Sequence, residues 1–413
     1  MSEFDTAKAE VLSAFEIIDT QQLNLFRQRP VIAPEERLAR LAELEQLSSE
    51  EAVNGMRSLL SDVLSIYNDP FANYINPKAH KSYSERRRGG YVGIGIKFRA
   101  RTDQFPVVIG AISGGPLAGK DILPGDEIVA VNGTDLEALS SGDVGRALQG
   151  PAGSTASLTT RRDGQSRQID AVRQAVRLYY ARSEVMDNDI GYIKLSRFGA
   201  NSHKQVARLV KTMLAKKVSG IILDLRDNPG GSTRAARNIM SLFDQSPWVY
   251  CERYKSGRTR KLPREGDVLT DLPMAVLINE DSISSSEILA GAFQDYGRAT
   301  LVGAPTYGKG LIQRVFPLKE PVSGAIRVTI ASYATPSEKL LHGRGLVPDV
   351  YVPSPPEPLF KEVGSVNISD EARAFRRGLM FESLSRKYSE SEALALRNLP
   401  DTQLLSAIDV VRS

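Results

Sequence analysis

The sequence has one cysteine, Cys251, and three histidines, His80, His203 and His342. A lone cysteine cannot close an internal disulfide, so no disulfide framework organises the fold, and cysteine usage assigns no redox compartment. The histidines are scattered, and no pair has ligand spacing on one element, so no metal site is expected. A Ser-His-Asp hydrolase would have to draw on one of these three. No apolar run is long enough to span a bilayer. Met1 to Thr6 has no basic stretch leading into an apolar one, so no export signal is visible, and the chain is expected to act in the cytoplasm, where it is made, unless an export segment has been removed. Charge of one sign is also scarce: 53 Lys and Arg stand against 49 Asp and Glu, a formal charge of +4. The tightest basic cluster, Arg86-Arg87-Arg88, lacks interleaved aromatics, so nucleic acid is not an expected partner.

What is present is ordinary globular composition, 41% apolar and 25% charged over 413 residues, a length that implies two to four domains. Residues 1–88 read as helical. Leu12, Phe15 and Ile18 keep helical spacing, as do Leu38, Leu41, Leu44 and Leu47, and then Met56, Leu59, Leu60, Val63 and Ile66. These stripes are more apolar than an isolated surface helix requires, and self-association through them is expected. Asp69-Pro70 ends the last helix, since the residue before proline is pushed out of the helical region.

Residues 89–175 change to strands and turns, with a glycine-spaced loop at Tyr91, Val92, Gly93 and Ile94, and hairpin signals at Asn132-Gly133 and Asp163-Gly164. Residues 176–353 read as αβ. Ile221-Ile222-Leu223-Asp224-Leu225 and Met274 to Ile278 are continuous apolar runs, the mark of strands covered on both faces. Residues 354–413 open with a proline-rich linker and continue as a charged amphipathic helix from about Ser369.

Two segments carry chemistry. Asp281-Ser282-Ile283-Ser284-Ser285-Ser286-Glu287 lies between a buried strand and a helix, where a turn exposes a nucleophile and a helix N-terminus favours developing negative charge. The same residues also suit a capping box, with Glu287 reaching back, and both readings can hold together. The second segment is Gly308-Lys309-Gly310. A lysine delivered into an apolar site loses hydration, its ammonium form is disfavoured, and it can take a proton from a serine. Gly303 to Lys309 also approaches a phosphate-loop spacing. However, Gly310 stands where that loop requires Ser or Thr, and Leu311 to Phe316 reads as a strand where it requires a helix, so nucleotide binding is excluded.

Together these motifs resemble the carboxyl-terminal-processing (tail-specific) protease family over roughly residues 69 to 353. The resemblance is carried by Asp69-Pro70-Phe71, Gly93-Ile94-Gly95, Leu123-Pro124-Gly125-Asp126, Leu223-Asp224-Leu225-Arg226, Asn228-Pro229-Gly230-Gly231, Ser282 to Ile288, Gly308-Lys309-Gly310 with Gln313, and Gly345-Leu346-Val347-Pro348-Asp349. It implies an α/β fold: a crotonase-like protease core preceded by an inserted PDZ-like domain, with helical terminal segments that often dimerise. It implies Ser284 as nucleophile, Lys309 as general base, Gln313 as the residue orienting the lysine, and an oxyanion hole from backbone N–H groups of Gly230, Gly231 and Ser285, without a cofactor. Asp295 is expected to be structural.

The loop at Tyr91, Val92, Gly93 and Ile94 is expected to offer amides to a terminal carboxylate, and the strand after it to pair with an extended peptide. The expected partners are therefore proteins or peptides with a free C-terminus, and the family suggests the cell envelope. Ile283 and Ser285 replace the usual alanines, and Glu338 stands where glycine is usual, so the turn and that hairpin are expected to differ. Gln149 stands where relatives often carry an arginine that couples the PDZ module to the core, so weaker coupling and an activating adaptor are expected. The rival reading is a catalytically silent PDZ adaptor.

Overall fold

The computed structural model describes residues 3–23, 32–87, 90–101, 104–112, 114–186, 189–354 and 401–413. The helix read from Ser369 falls largely outside these residues.

The chain opens with helices α1 (Glu3–Gln21), α2 (Pro34–Glu43) and α3 (Ser49–Ile66). A capping box joins Ser48 and Glu51 at the start of α3, which satisfies donors the first helical turn leaves open. The apolar faces of α1 and α3 are used inside the chain. Val11, Phe15 and Ile18 join Met56, Leu60, Val63 and Leu64 in one cluster with Ile326, Val328 and Ile330 of a later strand. Burial of each such side chain contributes about 1.5–3 kcal/mol. Leu12, Leu38 and Leu47 remain exposed, so most of the stripe that suggested self-association already has a partner within the chain. Strand β1 (Asn73–Ile75) and helix α4 (Pro77–Arg87) complete this part.

The next unit holds β2 (Gly90–Gly93), β3 (Ile96–Arg101), β4 (Gln104–Ala111), β5 (Glu127–Val131), β6 (Thr134–Asp135), α5 (Ser141–Leu148), β7 (Thr155–Arg162), β8 (Gln165–Val172) and β9 (Gln174–Arg177). Its main sheet runs β3-β4-β5-β7-β8, and β2 pairs separately with β9. The β7–β8 hairpin turns at Asp163 and Gly164, both left-handed, with φ 50° and 76°. Ile94, Val108, Ile128, Val131, Val144, Leu148 and Leu158 form its own core.

A six-stranded sheet follows in the order β10 (Ala181–Val185), β11 (Ile190–Leu195), β12 (Gly220–Asp224), β15 (Met274–Ile278), β16 (Thr300–Gly303) and β19 (Val350–Tyr351), parallel except for β10. The apolar runs of β12 and β15 divide between two faces. Ile221, Leu223, Val276 and Ile278 pack with residues of α6 (Ser202–Ala215), α7 (Thr233–Met240) and α8 (Ser285–Asp295). Ile222, Ala275 and Leu277 pack under Leu404, Ile408 and Val411 of α9 (Thr402–Arg412). Both faces are covered, which is why every residue of these two strands is buried.

The second sheet runs β1, β18 (Ala325–Ala334), β13 (Trp248–Tyr254), β14 (Thr259–Pro263), with β17 (Leu311–Pro317) also on β18. Strand β18 thus carries the N-terminal helices on its face and β17, with the lysine loop just before it, along its edge.

Candidate active site

The turn between β15 and α8 is held by its own serines. Ser282 Oγ donates to the Leu225 carbonyl at 2.9 Å, Ser285 Oγ to Gly231 O at 3.1 Å, and Ser286 Oγ to Asn228 O at 2.8 Å. All three side chains are fully buried. Ser284 is different: it is half-buried and sits at φ 59°, ψ −112° at the head of α8. A non-glycine residue held there costs about 1–3 kcal/mol and persists only where its surroundings over-determine it. Three serines therefore anchor the turn and the fourth is presented by it.

Two clamps join this turn to the lysine loop. Glu287 is fully buried. Its Oε2 accepts from Ser284 N at 2.8 Å and Lys309 N at 2.9 Å, and its Oε1 accepts from Thr306 Oγ1 and Gly308 N, both at 2.7 Å. Burial pushes this carboxyl above its usual range, although the Thr306 hydroxyl and three amides favour the anion. Tyr333 supplies the second clamp, its hydroxyl donating to the carbonyls of Ser284 (3.0 Å) and Lys309.

The glycines beside the lysine are required by contact. Gly308 has φ 85°, and a Cβ on Gly310 would lie 2.4 Å from His342 N. Lys309 Nζ lies 4.3 Å from the centroid of the Phe71 ring. Burial lowers the Lys309 pKa first and Arg327 lowers it further, outweighing Asp69 and Glu287, which favour the ammonium. A lowered lysine pKa puts more of the neutral amine, the form able to accept a proton, within reach at moderate pH.

Opposite the serine, Gly230 and Gly231 have φ 87° and 141°. A Cβ on Gly230 would lie 2.9 Å from both Ser284 Cβ and Ser285 N, and one on Gly231 only 2.3 Å from Phe198 O. The turn is fixed from behind. Asn228 Nδ2 donates to Leu195 O at 2.7 Å, while its Oδ1 accepts the Gly230 N–H at 3.0 Å. Below it, burial disfavours charge on Asp224, but the guanidinium of Arg226 and the ammonium of Lys194 hold that carboxyl well below its usual range. Arg226 also binds both oxygens of Asp401, at 2.8 and 2.9 Å, just before α9.

Gln313 stands on β17 at a register shift, and its Nε2 donates to Thr329 Oγ1 at 3.2 Å. Asp295 accepts from Ser337 N at 2.7 Å and from Lys339 Nζ at 3.0 Å, a structural tie to the hairpin after β18. Glu338 takes a left-handed φ of 66° in that hairpin and pairs with Arg253 at 3.0 Å.

In the β-rich unit, Tyr91, Val92 and Gly93 lie on β2 against β9, and Gly93 also bridges to Gln149 at the end of α5. Ile94 points into the core of the unit. Strand β3 is the outer strand of its sheet, and α5 lies alongside, with Phe98 of β3 3.9 Å from where a Cβ on Gly145 would sit. An outer strand beside a helix can accept an extended peptide as an added strand.

Residues 189–352 match the model of Peptidase family S41, and residues 92–172 that of the PDZ domain. A carboxyl-terminal-processing protease of Synechocystis sp. is 33% identical over 304 residues, covering 72% of this chain and 70% of its own length. The chain belongs to the S41 family of carboxyl-terminal-processing peptidases. The S41 peptidase is also 31% identical over 377 residues to the carboxy-terminal-processing protease of Bartonella bacilliformis, covering 89% of this chain and 83% of that one. A photosystem II D1 C-terminal processing protease shares its fold with a TM-score of 0.54 and 25% identity, over 86% of this chain and 94% of that one. It is therefore a serine-type peptidase of mixed α/β fold carrying a PDZ domain.

From the sequence Glu287 reads only as a capping partner, and nothing local marks Tyr333 or the Phe71 ring as neighbours of the lysine. Asp69-Pro70-Phe71 was visible as a motif, but its place beside a lysine more than two hundred residues later was not.

Proposed function

We propose that this S41 peptidase is an endopeptidase that captures the C-terminal tail of a protein substrate through its PDZ domain and cuts with Ser284 and Lys309. The observation that carries the assignment of the nucleophile is the division of labour in the turn, where Ser282, Ser285 and Ser286 are buried on carbonyls and Ser284 is not. Ser284 Oγ attacks the scissile carbonyl carbon while neutral Lys309 Nζ takes the hydroxyl proton. The oxyanion receives N–H bonds from Ser285 and Gly231. Gly230, whose own N–H is held by Asn228, contributes the room for close approach. The lysine then gives its proton to the leaving amine, and water, deprotonated by the same lysine, hydrolyses the acyl-enzyme. Gln313 is assigned the orienting of Lys309, and its own amide is held by Thr329 Oγ1.

The core is read as crotonase-like (176–353), preceded by the PDZ-like domain (89–175) and the helical segment (1–88), and followed by the terminal segment (354–413). Oligomerisation and an activating adaptor belong to the same proposal. The silent-adaptor alternative is disfavoured because a binding module has no use for a desolvated lysine held beside a presented serine.

Activity is expected to rise with pH. The pKa of Lys309 is lowered, so the base is neutral above that value and protonated below it, and kcat/KM climbs as pH passes through it from the acid side. Chelators are expected to leave the rate unchanged. Among the described residues no cluster of His, Cys, Asp or Glu could hold a metal ion. Inhibition by a chelator that added zinc reverses would contradict the assignment.

Tail capture has its own test. Amidating the C-terminus of a substrate removes the charge that loop amides would bind, and capture should weaken by about 1–3 kcal/mol, the scale of a lost charge-assisted hydrogen bond. Cleavage of one substrate with free, amidated and Asp-Asp-capped ends measures this. Equal rates for all three would refute carboxylate selection.

A further inference from the structure

A continuous buried polar chain links the ends of the N-terminal helices to the surroundings of Lys309. Gln22, the first residue after α1, is fully buried, and its Oε1 accepts from Thr329 N at 2.9 Å. Its Nε2 donates to Asp69 Oδ2 at 2.8 Å. The other oxygen of Asp69, Oδ1, accepts from Phe71 N at 2.8 Å, and the Phe71 ring is the surface on which Lys309 Nζ rests, 4.3 Å from its centroid. Leu23 N donates to Thr329 O at 2.8 Å, and Thr329 Oγ1 is the acceptor of the Gln313 amide. Asp69 is 6% exposed, and Gln22 and Thr329 are fully buried. Buried polar chains of this kind specify one geometry when every member is satisfied, and losing one member leaves others without partners.

We infer that Gln22 and Asp69 are positioning residues of the catalytic lysine, holding Phe71 against its side-chain nitrogen, so that the N-terminal helical segment completes the active site. The inference rests on Lys309 being the general base. The fold makes the connection economical. Helix α1 ends at Gln21, just before Gln22 meets β18, and α3 ends three residues before Asp69, so the chain leaving both helices arrives at one point. An aromatic face within about 6 Å attracts the ammonium that Lys309 becomes as it takes the serine proton, and an amine able to turn away from the serine is a poor base whatever its pKa. The charged or titratable groups facing Lys309 are Asp69, Glu287 of α8 and Arg327 of β18, with His342 of the neighbouring turn close to Asp69.

The test uses the full chain and a fluorogenic peptide, with kcat and KM measured from pH 6 to 10. Asp69→Asn and Gln22→Leu should each lower kcat by about ten- to a hundredfold, the scale of a misplaced catalytic group, with KM little changed. In Asp69→Asn the acid limb of the kcat/KM profile should also move to lower pH, because an anion favouring the ammonium has gone. Phe71→Leu should lose kcat while Phe71→Tyr, which keeps the π face, retains it. This pair leaves the Gln22–Asp69 bonds in place and decides the matter even where Asp69→Asn does not fold. If Phe71→Leu turns over like wild type the inference is overturned, as it is if a folded Asp69→Asn keeps the wild-type rate and profile, while inactive Ser284→Ala and Lys309→Ala would still uphold the dyad. Full turnover by Ser284→Ala would overturn the dyad and this inference with it.

Discussion

Lys309→Ala is expected to reduce kcat/KM by about a hundred- to ten-thousandfold, the range that a positioned general base contributes. The loss should fall on kcat, because the amine acts on the reacting proton while substrate capture lies elsewhere. The protein should remain folded. The loop backbone is held by Glu287 through the amides of Gly308 and Lys309 and by Tyr333 through the Lys309 carbonyl, and none of these contacts uses the lysine side chain. Adding Ser284→Ala to this variant should cost little more, since the two residues act as a unit. A double variant far slower than either single one would mean that the two side chains act independently.

The second large effect is expected from one methyl group. Gly230→Ala places a Cβ 2.9 Å from Ser284 Cβ and from Ser285 N, and 2.6 Å from Ile283 O. Two of those three neighbours are backbone atoms, in a turn fixed by Asn228 and by the serine hydroxyls, so they cannot yield without moving the nucleophile. The added methyl also fills space proposed for the oxyanion. Activity should fall about a hundred- to a thousandfold, as when an oxyanion donor is lost. Stability should fall by roughly 1–2 kcal/mol as well, because alanine must adopt the left-handed φ of 87° that glycine holds freely. A thermal melt beside the rate measurement separates the two. Wild-type turnover in Gly230→Ala would remove this turn from the catalytic centre.

Local pattern made part of this legible. The β7–β8 hairpin, the buried strands β12 and β15 and the helix that follows β15 have strong local signals, and they lie close to where periodicity and turn residues place them. Strands β13 and β14 did not stand out. Arg253, Arg260 and Lys261 interrupt any apolar alternation, and β14 is mostly exposed at the edge of its sheet. In the N-terminal segment the sequence displays an apolar face but not what covers it. The cover for most of that face is β18, more than two hundred residues away, and no local pattern shows it.

At the site, the serine turn and the glycine-flanked lysine were recognisable as chemistry, but four serines stood within five positions. Choosing Ser284 needed the family resemblance. The hydroxyl partners of Ser282, Ser285 and Ser286, together with the positive φ of Ser284, are physical grounds for the same choice, and they come from contacts with residues 225–231 that no local pattern contains. Glu287 was hidden for the same reason. Its role depends on amides that come from a separate loop.

The most direct measurement is cleavage of casein, an unstructured protein, by the wild-type chain beside Ser284→Ala, Ser282→Ala and Ser286→Ala, with folding checked by circular dichroism. The account predicts fragments from the wild type, none above background from a folded Ser284→Ala, and residual cleavage from the other two in proportion to how well they fold. Casein cut by Ser284→Ala at the wild-type rate would contradict it.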